Sequence, residues 1–181
     1  MFTRILVAVD GSSTSNRGLK SAIDLAADQK ATLYILHVVD DMAATPPAND
    51  GFIPAEYIES MIEALRESGR RIVARAAQLA CDRGLEAHSL VVETLGRSVA
   101  ETILLAARKH KADVIVLGTH GRKGLRRVLL GSDAENVLRE ARVPVLLVRG
   151  PAPAKRHARG ATSRGGSERA RPEPAASRDL Q

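Results

Sequence analysis

Four short aliphatic runs recur along the chain: RILVAVD from Arg4, ATLYILHVV from Ala31, DVIVLG from Asp113 and PVLLVR from Pro144. A run without polar alternation has no solvated face, so each reads as a strand covered on both sides, as in a parallel sheet between helical layers. A fifth run, EAHSLVVE from Glu86, is more polar.

The intervals between the runs carry helical spacing. Leu19, Ala22, Ile23 and Ala26 share one face, and Ile58, Met61, Ile62, Leu65, Ile72, Val73 and Leu79 mark a longer amphipathic stretch. A third helix is expected over about 98–109, opened by the capping box SVAE at Ser98 and keeping Val99, Ile103 and Ala106 together. A fourth is expected to open on a second box, SDAE, at Ser132 and Glu135. The order β-α-β-α-β-α-β-α-β predicts an open doubly wound, Rossmann-like α/β domain with helices on both faces and right-handed crossovers. DDMAATPPANDGFI, from Asp40 to Ile53, is long and full of breakers, and reads as a surface loop or lid.

This domain spans residues 1–149 of the 181. The segment 150–181 has no Val, Ile, Met or aromatic residue and holds half of the prolines, so it reads as a disordered tail. Its seven Lys/Arg against three Asp/Glu give +4 of the chain's +6, and the remainder, 20 against 18, is nearly neutral. With two Tyr, two Phe and no Trp, no stacking platform for single strands is available. Nucleic-acid binding is therefore left to weak, salt-sensitive contact by the tail. The single cysteine, Cys81, rules out an intrachain disulfide and reads as a packing residue. The N-terminal apolar run is too short to span a membrane, and a soluble cytoplasmic protein is expected.

In doubly wound sheets a ligand sits beyond the carboxyl ends of the strands, where strand order reverses. With the first and fourth strands as central neighbours, that crevice joins VAVDGSS to the stretch VIVLGTHGRKGLRRVLLGSDAENVL from Val114. Its glycines make backbone N–H groups accessible, and Gly131-Ser132 leads into a helix N-terminus, a setting that favours phosphate. Gly118 and Gly121 would admit a ribose or phosphate close to the backbone, while Arg122, Lys123, Arg126 and Arg127 add positive charge. Turn geometry is the plainer reading of those glycines, as an Asx turn is for Asp10. His37 and His120 have no partner at metal-ligand spacing, so no metal site is expected.

Gly118-x2-Gly121-x9-Gly131-Ser132 matches the G-x2-G-x9-G-[ST] pattern of the ATP-binding branch of the universal stress protein family. The resemblance continues through ILVAVDGSSTSNRGL, LHVV, ADVIVLGTHGR and VPVLLVRG, covering about Met1 to Gly150. It implies a five-stranded parallel sheet of order 3-2-1-4-5 with ATP or a related adenine nucleotide between strands one and four, where magnesium would bridge the phosphates and a nearby carboxylate. By the same resemblance, Asp10 would hold the ribose and the Val38 backbone would meet adenine, with Ala8 adjacent. Gly118 and Gly121 would line the ribose and α-phosphate, Gly131 and Ser132 would cradle phosphates, and Arg122 would lie nearby. Asp133 and Ala134 depart from the pattern, where an apolar residue and a small hydroxyl are usual.

The final strand, Val145, Leu146, Leu147 and Val148, is an apolar sheet edge, and the family commonly builds a homodimer there. The function implied is a stress-response regulator whose partner interactions depend on bound nucleotide. Hydrolysis is slow at most, since only Asp133 or Glu135 can be put forward for phosphoryl transfer and no residue is assigned as catalytic. The competing reading is an interaction module of the same fold that binds no nucleotide.

Overall fold

The computed structural model describes residues 1–44, 54–119 and 130–150. In chain order they form β1 (Arg4–Ala8), α1 (Ser13–Gln29), β2 (Thr32–Val39), a 3-10 turn (Asp41–Ala44), α2 (Ala55–Cys81), β3 (Ala87–Glu93), α3 (Val99–Lys109), β4 (Val114–Gly118), α4 (Ser132–Glu140) and β5 (Val145–Val148). The five strands make one parallel sheet of order β3-β2-β1-β4-β5, with Ile5 opposite both Leu33 and Val114. This is the order implied by the resemblance. The loop expected from Asp40 starts with the 3-10 turn, while residues 45–53 and the tail from 151 to 181 lie outside the described residues.

Strand side chains alternate between faces, and both faces are apolar here, so two cores form. Ile5, Val7, Leu33, Ile35, Val114 and Val116 pack under α1 and α2. Leu6, Leu36, Ile115 and Leu117 pack under α3 and α4. Ile5, Leu6, Leu33, Ile35, Leu36 and Ile115 are wholly inaccessible to solvent, which accounts for the lack of alternation in the sequence.

Helix starts follow local chemistry. Ser12 caps α1 by accepting from the Ser15 amide at 3.1 Å. At α3 the capping box forms as read: the Ser98 hydroxyl accepts from the Glu101 amide, and the Glu101 carboxylate accepts from the Ser98 amide at 2.8 Å. These bonds from Ser98 hold the Glu101 carboxyl below its ordinary range. At α4 the expected box does not form. The cap is Gly131, whose carbonyl accepts the Glu135 amide at 2.9 Å, so the helix begins one residue early and Ser132 is its first helical residue.

The long amphipathic stretch is also corrected in detail. α2 buries Gly69, Val73, Ala76 and Ala80, small residues where the helix lies close on the sheet, whereas Leu79 is 48% exposed. Ile58, Met61, Ile62 and Leu65 are only half-buried. Cys81, read as a packing residue, is exposed at the last helical position. α2 is tied to β3 by Arg66, which donates to both Glu93 oxygens at 2.9 and 3.0 Å.

At the amino end of the sheet Asp113 staples β1 to β4. It accepts from the Thr3 amide at 2.9 Å, the Thr3 hydroxyl at 2.8 Å and the Arg4 amide at 3.2 Å. Partial burial pushes this carboxyl up, but the bonds from Thr3 and Arg4 outweigh it and the net shift is downward.

On the α3 face Tyr34 lies between His88 and His110, with ring centroids 5.0 and 4.9 Å away. Burial, then Lys109 and His88, hold His110 below its ordinary value. The native state therefore resists a proton that the unfolded chain takes up near pH 6.5, so the unfolded state binds more protons just below that pH and stability rises with pH there. The melting temperature should fall as pH drops below about 6.5, and His110→Gln should flatten that slope between pH 7.5 and 5.5. An unchanged slope in calorimetry would remove His110 as its source.

Candidate functional site

A cleft of about 110 Å³ opens at the carboxyl ends of β1, β2 and β4, where the strand order reverses. Ala8 and Asp10 after β1, Val38 on β2 and Gly118 at the end of β4 all line it. Four of the residues singled out from sequence thus converge on one cavity. Gly131 and Ser132 do not line it, although Asp133 and Ala134 in the next positions of α4 do. Gly121 and Arg122 lie outside the described residues.

The wall also includes residues that the sequence reading did not assign to the site: Ser15, His37, Leu117, and Val99 and Ile103 of α3. The i, i+4 spacing of the last two marks them as core-facing. That one end of this face borders a cleft depends on how α3 packs against the sheet, which no local pattern encodes.

The DGSS turn shows what the β1 end can do. Gly11 takes φ +81°, where glycine is favoured, and one Asp10 oxygen accepts the Ser12 amide at 2.9 Å. The Asp10 amide in turn donates to the Ser15 hydroxyl at 3.0 Å. Asp10 therefore plays the turn role and lines the cleft as well. The bond from the Ser12 amide fixes the orientation of that carboxylate at the mouth of the cleft.

Gly118 has a packing reason of its own. A Cβ there would lie 3.0 Å from Thr14 Cγ2 and 3.1 Å from the Ser15 nitrogen, so close approach of α1 already requires glycine. His37, 7% exposed, is held by a 2.7 Å bond between its Nδ1 and the Val9 carbonyl oxygen.

The glycine-rich segment is pinched at its base. The Thr119 amide donates to the Val148 carbonyl oxygen at 2.9 Å, and the Gly131 amide donates to the Thr119 carbonyl oxygen at 2.8 Å. Gly131 thus spends its N–H on the neck of the loop, and the first-turn amides of α4, which helix geometry leaves without intrahelical acceptors, are the ones directed outward. Asp133 and Glu135 place two carboxyl groups in that same turn. After β2, outside the residues that line the cleft, Asp41 accepts from the Thr94 hydroxyl and from the Gly96 amide at 3.3 Å, bonds that hold its carboxyl below the ordinary range, Thr94 contributing most. Among the described residues no group of three His, Cys, Asp or Glu side chains could hold a metal ion.

The model of the family described as "Universal stress protein family" matches residues 1–149. This chain belongs to the universal stress protein family. A universal stress protein of Methanocaldococcus jannaschii is 36% identical over 152 residues, covering 83% of this chain and 84% of the relative. Among solved structures, a universal stress protein family member from Burkholderia pseudomallei is 37% identical, with a TM-score of 0.64 over 81% of this chain and 95% of its own. The universal stress protein of Archaeoglobus fulgidus in complex with dAMP is 25% identical, with a TM-score of 0.54 over 81% of this chain and 97% of its own. No helix among the described residues of this universal stress protein is long and apolar enough to cross a membrane.

Proposed function

We propose that this protein binds an adenine nucleotide, ATP with or without magnesium among them, in the cleft between β1 and β4, and that occupancy changes its protein partners under stress. The observation that carries the reading is the convergence of Ala8, Asp10, Val38 and Gly118 on one cavity at the strand-order reversal. The dAMP complex of the Archaeoglobus relative supports the ligand class. Asp10 would accept from the ribose hydroxyls, the Val38 main chain would face the base, and Gly118 with Gly121 would flank the sugar and first phosphate. Gly131, Ser132 and Arg122 would serve the phosphates further out. Among the described residues no group of three His, Cys, Asp or Glu could hold a metal ion beside a base, and on this reading hydrolysis would be slow at most.

Titration calorimetry with dAMP, AMP, cyclic AMP and ATP, the last with and without magnesium, tests the reading. Asp10→Ala should weaken binding about 10- to 100-fold, the loss of a charged hydrogen bond worth roughly 1.5–3 kcal/mol. Asp10→Asn keeps an oxygen for the Ser12 amide and separates ligand contact from turn support. Affinity unmoved by either change would leave Asp10 as a turn residue, and no binding of any nucleotide would favour the interaction-module reading.

The same proposal includes a homodimer through β5. This strand pairs with β4 on one side, ends the sheet, and leaves Leu146 40% exposed beside half-buried Val145, Leu147 and Val148. Leu146→Glu should raise the dimer dissociation constant at least about tenfold in sedimentation experiments, a loss of about 1.4 kcal/mol. A wild-type chain that sediments as a monomer would refute the interface.

A further inference from the structure

A second cavity lies on the other side of β1, between α1 and α2. It measures about 570 Å³, within the roughly 300–1,000 Å³ typical of ligand sites. Its floor is apolar, made by Leu19, Ile72, Ala76 and Leu79, and Leu79 is the exposed leucine that the helical spacing had assigned to the core. Its rim is cationic. Arg71 and Arg75 line it, and among the described residues no carboxylate does.

The charges facing the groove are few. Arg71 is partly offset by Glu67 at 3.3 Å, and at the far end of α2 Arg83 pairs with Asp24 of α1 at 3.3 Å. Arg75 makes no ion pair among the described residues. At the other end the groove reaches Gly11, just before the Ser12 cap, and Asn16 near the start of α1, the positive end of that helix dipole. An isolated arginine on a solvated face needs no explanation, but two beside an exposed leucine in a concave surface make a matched set.

We propose that the α1–α2 groove docks an acidic amphipathic helical segment of a partner protein, a leucine-type side chain entering beside Leu79 and carboxylates meeting Arg75 and Arg71. Charge complementarity selects this occupant over the chain's own tail. That tail leaves the fold at Gly150, beside Thr14 of α1, yet its +4 charge has the sign of the rim. The proposal goes beyond nucleotide binding and does not depend on it. Val9 lines both the groove and the cleft.

The test is fluorescence anisotropy on the full chain with a labelled 14-residue amphipathic helical probe peptide, leucines on one face and glutamates on the other, and a version with lysine in place of every glutamate. The glutamate peptide should bind saturably and weaken with added salt, and the lysine peptide should not bind. Arg75→Glu and Leu79→Ser, both at exposed positions, should each weaken binding at least tenfold while leaving the circular dichroism and melting curve unchanged. Equal binding of the two peptides, or no saturable binding, would overturn the proposal. Binding that neither variant moves belongs to the basic tail and would overturn it equally.

Discussion

Gly69→Ala should destabilise the protein by about 2–4 kcal/mol, although helix propensity alone favours the change by about 1 kcal/mol. Gly69 lies mid-way along α2, where an alanine would normally help. A Cβ there would stand 2.6 Å from His37 Cδ2 and 3.3 Å from Val91 Cγ1. The imidazole cannot swing away cheaply, because it is buried and its Nδ1 is bonded to the Val9 carbonyl oxygen at 2.7 Å. Overpacking of this kind costs about 1–3 kcal/mol. Displacing the ring would add about 1–3 kcal/mol for a buried carbonyl left without its donor. The melting temperature should fall by about 5–15 °C for a domain of this size. Gly69→Ala/His37→Ala should lose less than the sum of the two single changes, since the second removes the clash created by the first. A Gly69→Ala protein that melts higher than wild type would show that the ring is not pinned. Because His37 also lines the cleft, the single variant should bind nucleotide more weakly as well.

How far such effects were legible in the sequence differs element by element. The sheet was readable because burial on both faces erases polar alternation, and the runs around Ile5, Leu33 and Ile115 show that erasure directly. The two S-x-x-E boxes are instructive as a pair. SVAE caps α3, while SDAE sits inside α4, because the Gly131 amide is tied to Thr119 across the neck of the loop and the helix starts from there. Four letters cannot report a bond to a residue twelve positions away. In α2 the spacing gave a face but not its depth. The helix touches the sheet at Gly69, Val73, Ala76 and Ala80, and small residues in a long apolar pattern are easily passed over in favour of the larger leucine and isoleucine. Gly118 shows the same limit from the opposite side: its place in a glycine-rich motif suggests a ligand, whereas its nearest neighbours are Thr14 and Ser15. The cleft was foreseeable in position, since a doubly wound sheet has a reversal point, but not in its α3 wall.

Filling the cleft without touching any hydrogen bond should separate binding from folding. Ala8 ends β1, is half-buried, packs against the α3–α4 core and lines the cleft with Val38 and Leu117. Ala8→Leu would place three more carbons into a space of about 110 Å³. A ligand could enter only by expelling them, so affinity for dAMP or ATP should fall at least about 100-fold, or 2.7 kcal/mol. Stability should move the other way or hold, because added methylenes that find cover in an open cleft stabilise by up to about 0.8 kcal/mol each. Asp10→Ala predicts a different pair of signs: weaker binding together with a lower melting temperature, since the Ser12 amide loses its acceptor beside the α1 cap. The two variants therefore act as mutual controls, one blocking the site by volume and the other by chemistry. If leucine at position 8 left dAMP affinity untouched in a protein that still melts cooperatively, the nucleotide would have to sit away from the β1 end. The convergence of Ala8, Asp10, Val38 and Gly118 would then be a property of the doubly wound sheet and not of its ligand.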